Sequence, residues 1–255
     1  MNQATVNAAP IGFETMSSAM GDAHNYATWI KDIIVPFLPN TGHLLEIGPG
    51  FGQYTKEFCS QAAQVTVVDL SQDCLDALCG TARNLRLIKG DLASDEFVRL
   101  LGSGIFDCAV ALNVLEHLKD DRSALSRLFS VLKPGGCLIL LLPAFPRLYG
   151  PMDRLAGHYR RYSQKSFQKL LTDCGFHILD VSYFNPIGGL GWWFNARLGQ
   201  PHSLSENAIN RQILFFDRFL LPLSRLLSPC FKGIFGQSLW VVAQRPKKQM
   251  RGEQK

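Results

Sequence analysis

The sequence predicts a doubly wound α/β fold, a mostly parallel sheet with helices on both faces, carrying a helical insertion ahead of the final strand. Short apolar runs alternate with helical stretches through the first half of the chain, the order of a parallel sheet with crossover helices. Several of those runs are apolar throughout, as strands covered on both faces are. At 255 residues the chain has room for one such domain plus an insertion.

The first five strands are expected at "HLLEI" (43–47), "VTVVD" (65–69), "LRLIK" (85–89), "FDCAVAL" (106–112) and "CLILLLP" (137–143). Helical stretches fall between them at 52–61, 72–82, 94–101 and 121–132. Ser94 or Asp95 would cap the third of these, and Asp120 or Asp121 the fourth, because their side-chain oxygens can accept from the free first-turn amides. "LKPGG" (132–136) is expected to end a helix and turn sharply into the next strand. A helix follows at 163–176, capped by Ser163, then strands at "HILDVSYF" (177–184) and "SLWVVAQ" (238–244). The segment between those two strands holds "GWWFNARL" and "ILFFDRFLLPLSRLL", too apolar and too helical in period for a loop. The division expected is a helical lid over 1–41, a ligand-binding core over 42–184, a helical cap over 185–235, and the last strand with a basic tail over 236–255.

Composition narrows the function. Apolar residues make up 47% and charged residues 18%, so the chain is globular, not disordered. The net charge of +5 is modest and concentrated in the tail "QRPKKQMRGEQK", with no basic stripe for nucleic acid. The seven Cys are scattered and odd in number, without the paired spacing of a zinc site or a disulfide framework. They fit a reducing cytoplasm. The first thirty residues lack the charged start and apolar stretch of a signal peptide, and "CLILLLPAF" is too short to span a bilayer. A soluble cytoplasmic protein is expected, a monomer or homodimer, with peripheral membrane contact the only membrane association in view.

The stretch "LLEIGPGFGQYT" carries the first chemical signal. Gly48, Gly50 and Gly52 strip side chains from the turn after the first strand, with Pro49 between them, as a ligand-cradling loop requires. Dinucleotide sites place a pyrophosphate on the following helix N-terminus, and Glu46 beside the turn would repel that anion. S-adenosylmethionine has no phosphate but carries a sulfonium and an ammonium, which a carboxylate attracts. The glycine spacing also differs from the dinucleotide pattern. Asp69 closes the second strand, where it can accept both ribose hydroxyls. Asp91 follows the third and can accept from the adenine amino group, with Leu70 and Leu92 placed to sandwich the ring.

Taken together, "LLEIGPGFGQYT", "VTVVDLS", "LIKGDLAS", "FDCAVALNVLEHLKDD" and "LFSVLKPGGCLILLLPA" resemble the ordered motifs of class I S-adenosylmethionine-dependent methyltransferases across residues 42–144. The flanking "NYATWI", "LYGPMDRLAGHYRRYS", "FNPIGGLGWWFNARL" and "FGQSLWVVAQRP" resemble a bacterial small-molecule subgroup of the type 11/12 kind. The resemblance implies a seven-stranded Rossmann-like sheet whose last strand, "SLWVVAQ", runs antiparallel. It also implies S-adenosyl-L-methionine as cofactor, S-adenosyl-L-homocysteine as product, and no metal.

Methyl transfer from a sulfonium is an in-line displacement, so the protein mainly aligns the acceptor and excludes water. Tyr26 and Trp29 in "NYATWI" could close over the donor, or form a helix face packed on the core. The Asn113 carbonyl, with Val114 beside it, could take the donor's ammonium. A hydroxyl acceptor calls for a base, and His117 and His158 are the candidates; a carboxylate acceptor needs none. Tyr149, Tyr159, Arg160 and Arg161 could grip an anionic acceptor group or simply anchor their loop. Trp192 and Trp193 could line an apolar acceptor pocket, or belong to a core or dimer seam. The Asn/Asp-Pro-Pro-Tyr motif of amide and exocyclic-nitrogen methylators is replaced by "LNVLEHL". O-methylation of a small hydrophobic natural product or lipid or saccharide intermediate is expected, with C- or N-methylation the alternative. A nicotinamide oxidoreductase and a non-catalytic donor-binding module are the other classes considered.

Overall fold

A computed structural model describes residues 23–198 and 206–247, so the residues expected ahead of the first helix and most of the basic tail lie outside the described residues. Seven strands form one sheet: β1 (His43–Ile47), β2 (Gln64–Asp69), β3 (Leu85–Lys89), β4 (Phe106–Leu112), β5 (Leu132–Pro143), β6 (His177–Phe184) and β7 (Ser238–Gln244). Their order is β3-β2-β1-β4-β5-β7-β6. The first five pair in parallel, while β7 runs antiparallel to both β5 and β6. This is the seven-stranded sheet with an antiparallel last strand that the sequence resemblance implies.

Strand residues alternate between two cores. Leu45, Ile47, Ala109, Leu138 and Leu140 point to one face, and Leu44, Cys108, Val110, Ile139 and Leu141 to the other. The first face is covered by α4 (Phe97–Leu101), α5 (Asp121–Val131) and α7 (Gln164–Asp173), which contribute Phe97, Leu125, Leu128, Phe167 and Leu171. The second is covered by α1 (His24–Ile34), α2 (Thr55–Gln61) and α3 (Gln72–Ala77), with Trp29, Ile30, Phe58 and Leu75. A short α6 (Pro151–Leu155) follows β5.

Several boundaries shift for local reasons. The Asp120 carboxylate accepts from Ser123 N at 3.0 Å and caps α5, and Ser163 Oγ accepts from Ser166 N at 3.2 Å to cap α7. Neither Ser94 nor Asp95 caps α4. Ser94 Oγ accepts from Glu96 N at 3.2 Å within a preceding turn, Asp95 pairs with Arg127, and the helix begins at Phe97. The "LKPGG" segment is no sharp turn between helix and strand. α5 ends at Val131, β5 begins at once at Leu132, and residues 133–136 bulge out because Phe106 pairs with Leu132 while Cys108 pairs with Cys137. Lys133 Nζ reaches Asp107 at 2.8 Å across that bulge.

Between β6 and β7 the chain forms α8 (Pro186–Leu198), α9 (Glu206–Phe215), a π-turn over Phe216–Leu220, and α10 (Leu221–Phe231). The insertion is tied to the body by two buried polar joints. Asp217 accepts from Asn25 N at 3.0 Å and Tyr26 N at 2.8 Å, capping α1, whose own preceding residue is Ala23. Ser224 Oγ donates to Asn185 Oδ1 at 2.7 Å and accepts from Ile187 N at 3.1 Å. Among the described residues no helix is long and apolar enough to cross a membrane.

Candidate functional site

The chain leaves β1 into a turn that only glycine accepts without strain. Gly48 has φ +63°, and a Cβ there would lie 2.8 Å from Val114 Cγ2; Gly52 has φ +82°, and a Cβ there would collide with Leu78. Gly48 N donates to Val68 O at 2.9 Å and Gly52 N to Pro49 O at 3.1 Å, so the turn is fixed against β2. Glu46 lies beneath it, 3% exposed, with Thr55 Oγ1 donating to its Oε2 at 2.7 Å. Burial pushes its carboxyl up to about 8; the Thr55 bond opposes that and the nearby Asp69 adds to it. Burial thus favours the neutral form of the Glu46 carboxyl in this dry site.

Asp69 ends β2, half-buried, with its Oδ1 accepting from Ser71 N at 2.8 Å. Burial raises its pKa, and the amides of Ser71, Leu70 and Gly50 hold it back, so this carboxylate also fastens the glycine turn. Asp91 follows β3 and its Oδ1 accepts from Ala93 N at 2.7 Å. The two leucines differ: Leu70 is 63% exposed, whereas Leu92 is 4% exposed and packed in the core with Phe97.

At the carboxyl ends of the next three sheet strands by chain order stand the positive-φ residues other than glycine among those described: Asn113 after β4, Phe145 after β5 and Asn185 after β6. Such backbone strain costs free energy and gathers where the surroundings enforce it, which marks this edge of the sheet. Asn113 is exposed, Val114 half-buried against the Gly48 turn, and a 3₁₀ turn over Leu115–His117 follows.

That turn and the segment after β5 bring His117 and His158 together, their rings 4.8 Å apart and edge to face. Burial, with His158 beside it, pushes His117 down to about 4, against a bond from its ring to the Gly157 backbone. His158 Nδ1 lies 2.9 Å from Asp153 Oδ1. Asp153 is fully buried, accepts from Arg161 Nε at 2.8 Å and Gly150 N at 2.9 Å, and is held below the usual carboxylate range by these partners, overcoming its burial. The Arg161 guanidinium lies 4.5 Å over Trp192, joining the insertion to this network. Tyr149 Oη donates to His158 O at 2.8 Å.

The structure does not gather every predicted residue here. Arg160 pairs with Asp121 at 2.9 Å and with the Lys119 carbonyl, anchoring the loop, and Tyr159 is half-exposed beneath Lys119. Trp193 packs on Phe194 at 5.0 Å. Tyr26 and Trp29 are buried in the second core. Trp29 lies 4.0 Å from Phe184 and lines a cavity of about 520 Å³ with Phe37, Tyr183, Arg225 and Trp240, which contains none of the glycine turn. Three residues of the site were given no role by sequence reasoning: Thr55, Glu116 and Asp153. Glu116 had a signal, a carboxylate in an otherwise apolar "NVLEHL" run; the others look like ordinary helix-start or surface residues.

A sheet of this order, with a glycine turn after β1 and carboxylates closing β2 and following β3, defines the class I S-adenosylmethionine-dependent methyltransferase fold. The chain belongs to the methyltransferase domain family, whose profile matches residues 21–181. An O-methyltransferase of Penicillium expansum is 28% identical over 162 residues, covering 60% of this chain and 58% of its own length. A ubiquinone/menaquinone biosynthesis C-methyltransferase of Cronobacter sakazakii is 25% identical over 182 residues, covering 58% of this chain and 70% of its own. The chain thus spans little more than half the length of the first of these relatives. The Haemonchus contortus phosphoethanolamine N-methyltransferase 2, solved with S-adenosyl-L-methionine, superposes with TM-score 0.60 at 19% identity over 89% of this chain and 57% of that one. A Mesorhizobium loti S-adenosylmethionine-dependent methyltransferase gives 0.59 at 19% over 86% and 98%. At those identities the solved structures speak to the fold.

Proposed function

We propose that this chain transfers the methyl group of S-adenosyl-L-methionine to a hydroxyl of a small hydrophobic acceptor, releasing S-adenosyl-L-homocysteine. The observation that carries this is the placing of a donor cradle, the Gly48–Gly52 turn with Glu46 and Asp69, on the same sheet edge as the His117–His158 pair. Glu46 ionises when the donor's cationic end arrives, and that attraction is strong because the site is dry. Asp69 and Asp91 receive the ribose hydroxyls and the adenine amino group. The Asn113 carbonyl takes the ammonium, its left-handed backbone turning it out of the strand. The acceptor's reacting oxygen then lies on the imidazole side, in line with the methyl; the O–CH3 bond forms as the S–CH3 bond breaks, and the hydroxyl proton leaves to solvent.

The insertion supports an apolar acceptor. Phe194, Phe215, Phe219 and Leu226 are each more than half exposed. Arg218 lies over Phe219 among them, while Arg225 and Lys232 pair with Asp32 and Asp180. Exposed aromatic side chains with Arg218 beside them suit the plane of an anionic membrane, and a lipid-borne acceptor would be reached there by a cytoplasmic protein, monomeric or dimeric. Calorimetry with S-adenosylmethionine and S-adenosylhomocysteine tests the core of the reading, followed by mass-shift screening of host lipid extracts with donor. Saturable binding of both, with acceptor mass gain, is expected; no binding of either refutes it.

A further inference from the structure

We propose that Glu116, His117 and His158 form a site for a divalent transition-metal ion, whose open positions take an oxygen of the acceptor. The inference rests on the methyl-transfer reading for the acceptor's position, but not for the ion itself. It departs from the expectation of a metal-free protein, and from the reading of either histidine as the base.

Two independent observations carry it. The first is position: one ligand atom from each of the three residues lies within 4.8 Å of the others. Two ligands of one tetrahedral ion, each at about 2.0–2.2 Å, stand roughly 3.3–3.6 Å apart. Binding therefore asks the most widely separated donors to close by up to about 1.2–1.5 Å, the scale of a side-chain rotation rather than of a backbone movement. The second is the state of Glu116. Its side chain is fully buried, and neither carboxylate oxygen has a hydrogen-bond partner among the described residues. A buried carboxyl without partners is costly, and native proteins leave few such groups without a reason. One of its oxygens lies within 4.8 Å of a ring nitrogen of each imidazole, and a cation among the three would satisfy it.

The surroundings are those of a ligand set held for use. Metal-bound histidines commonly have their second nitrogen tied to a carboxylate or carbonyl, which sets the tautomer and aims the free nitrogen. His158 Nδ1 is held by Asp153 Oδ1 at 2.9 Å, and the His117 ring is bonded to the Gly157 backbone. Asp153 is in turn fixed by Arg161 Nε at 2.8 Å and Gly150 N at 2.9 Å. Two imidazoles and one carboxylate suit zinc, iron, cobalt or manganese better than magnesium or calcium, which favour oxygen-only sets. Three protein ligands also leave positions open, the arrangement of sites that bind substrate rather than merely brace a fold. The 3₁₀ turn that carries Glu116 and His117 follows Asn113 directly, so those positions are on the donor's side of the molecule.

The full-length chain, stripped with chelator, is titrated with cobalt(II) chloride and followed by visible absorption, and with S-adenosylhomocysteine by calorimetry. One cobalt per chain is expected, with d–d bands of nitrogen and oxygen ligation and no thiolate charge-transfer band. Glu116→Gln and His158→Asn should each weaken binding by about 100-fold, and Asp153→Asn by roughly 10- to 100-fold. Crystals of the wild-type chain grown with cobalt should show an anomalous peak between Glu116, His117 and His158, a readout that needs no variant to fold. Thiolate bands, a peak elsewhere, or cobalt affinity unchanged by Glu116→Gln overturns the site. A chain that binds S-adenosylhomocysteine but no cobalt overturns this inference and leaves the methyl-transfer reading standing. A chain that binds cobalt but not S-adenosylhomocysteine does the reverse.

Discussion

Replacing Glu46 with glutamine should lower donor affinity and make the stability difference from the wild type depend on pH. In the folded chain burial lifts this carboxyl from 4.5 to about 8, while the unfolded chain releases its proton near the ordinary value. Between those values the folded state holds one more proton than the unfolded, so stability falls as pH rises, by ~1.4 kcal/mol per unit. By pH 7 the wild type has lost about 3 kcal/mol on this account. Glu46→Gln carries no charge at any pH, and its carbonyl oxygen can still accept from Thr55. Its amide group adds donors that the site leaves unpaired, at a cost of about 1–3 kcal/mol that does not vary with pH. Urea unfolding of both proteins at pH 5.5 and 7.5 should therefore show the variant gaining on the wild type by about 3 kcal/mol across the interval. For the donor, binding near pH 7 to the wild type should release a proton, seen as a calorimetric heat that depends on the buffer's ionisation enthalpy. The variant should bind more weakly and release none. A stability gap that stays constant between the two pH values would refute the reasoning, because Glu46 would then be ionised in the folded chain already.

Asp69→Ala should weaken S-adenosylmethionine binding by roughly 1–3 kcal/mol in calorimetry, through stranded ribose hydroxyls and a turn no longer fastened at Gly50; unchanged affinity would show the ribose lies elsewhere. Asp217→Ala removes the cap of α1 and should cost about 1–2 kcal/mol in urea unfolding, with Asp217→Asn recovering part of it. Phe215→Ser with Phe219→Ser should abolish sedimentation with phosphatidylglycerol vesicles while leaving donor affinity intact, and retained sedimentation would remove the membrane reading of the insertion.

The sheet was legible because burial on both faces leaves a mark that composition alone cannot hide: β1, β2, β4 and β5 are apolar at consecutive positions, and each feeds two cores at once. What misled at "LKPGG" was the assumption that Pro and Gly end a helix and stay outside the strand that follows. Their bulge is absorbed instead because Lys133 finds Asp107 across the gap, a partner 26 residues away that no local pattern reveals. The cap of α4 failed for the same kind of reason. Asp95 is a good N-cap by type, yet Arg127 on α5 claims it. Lid and cap were harder still, since α1 lacks a local N-cap and takes one from Asp217, 192 residues downstream of Asn25.

The site divides along the same line. Residues whose role is set by the backbone were readable: Gly48 and Gly52 announce a positive-φ turn, and Asn113 and Asn185 are of a type that tolerates the left-handed region. Phe145 occupies that region with no such tolerance. It is held there by stacking 4.6 Å from Tyr183 and by packing on Phe235, contacts that arise only once β5, β6 and the chain before β7 are assembled. For residues whose role is set by what they lack, the sequence shows a carboxylate in apolar surroundings but not whether it is paired. Glu46 lies in an apolar strand and Glu116 just after one, and both are pushed up to about 8 by burial, yet Thr55 donates to one while the oxygens of the other have no side-chain donor within hydrogen-bond distance among the described residues. A sequence states which donors and acceptors a chain possesses. Only the fold determines which of them are left unpaired, and it is the unpaired one that points to a ligand.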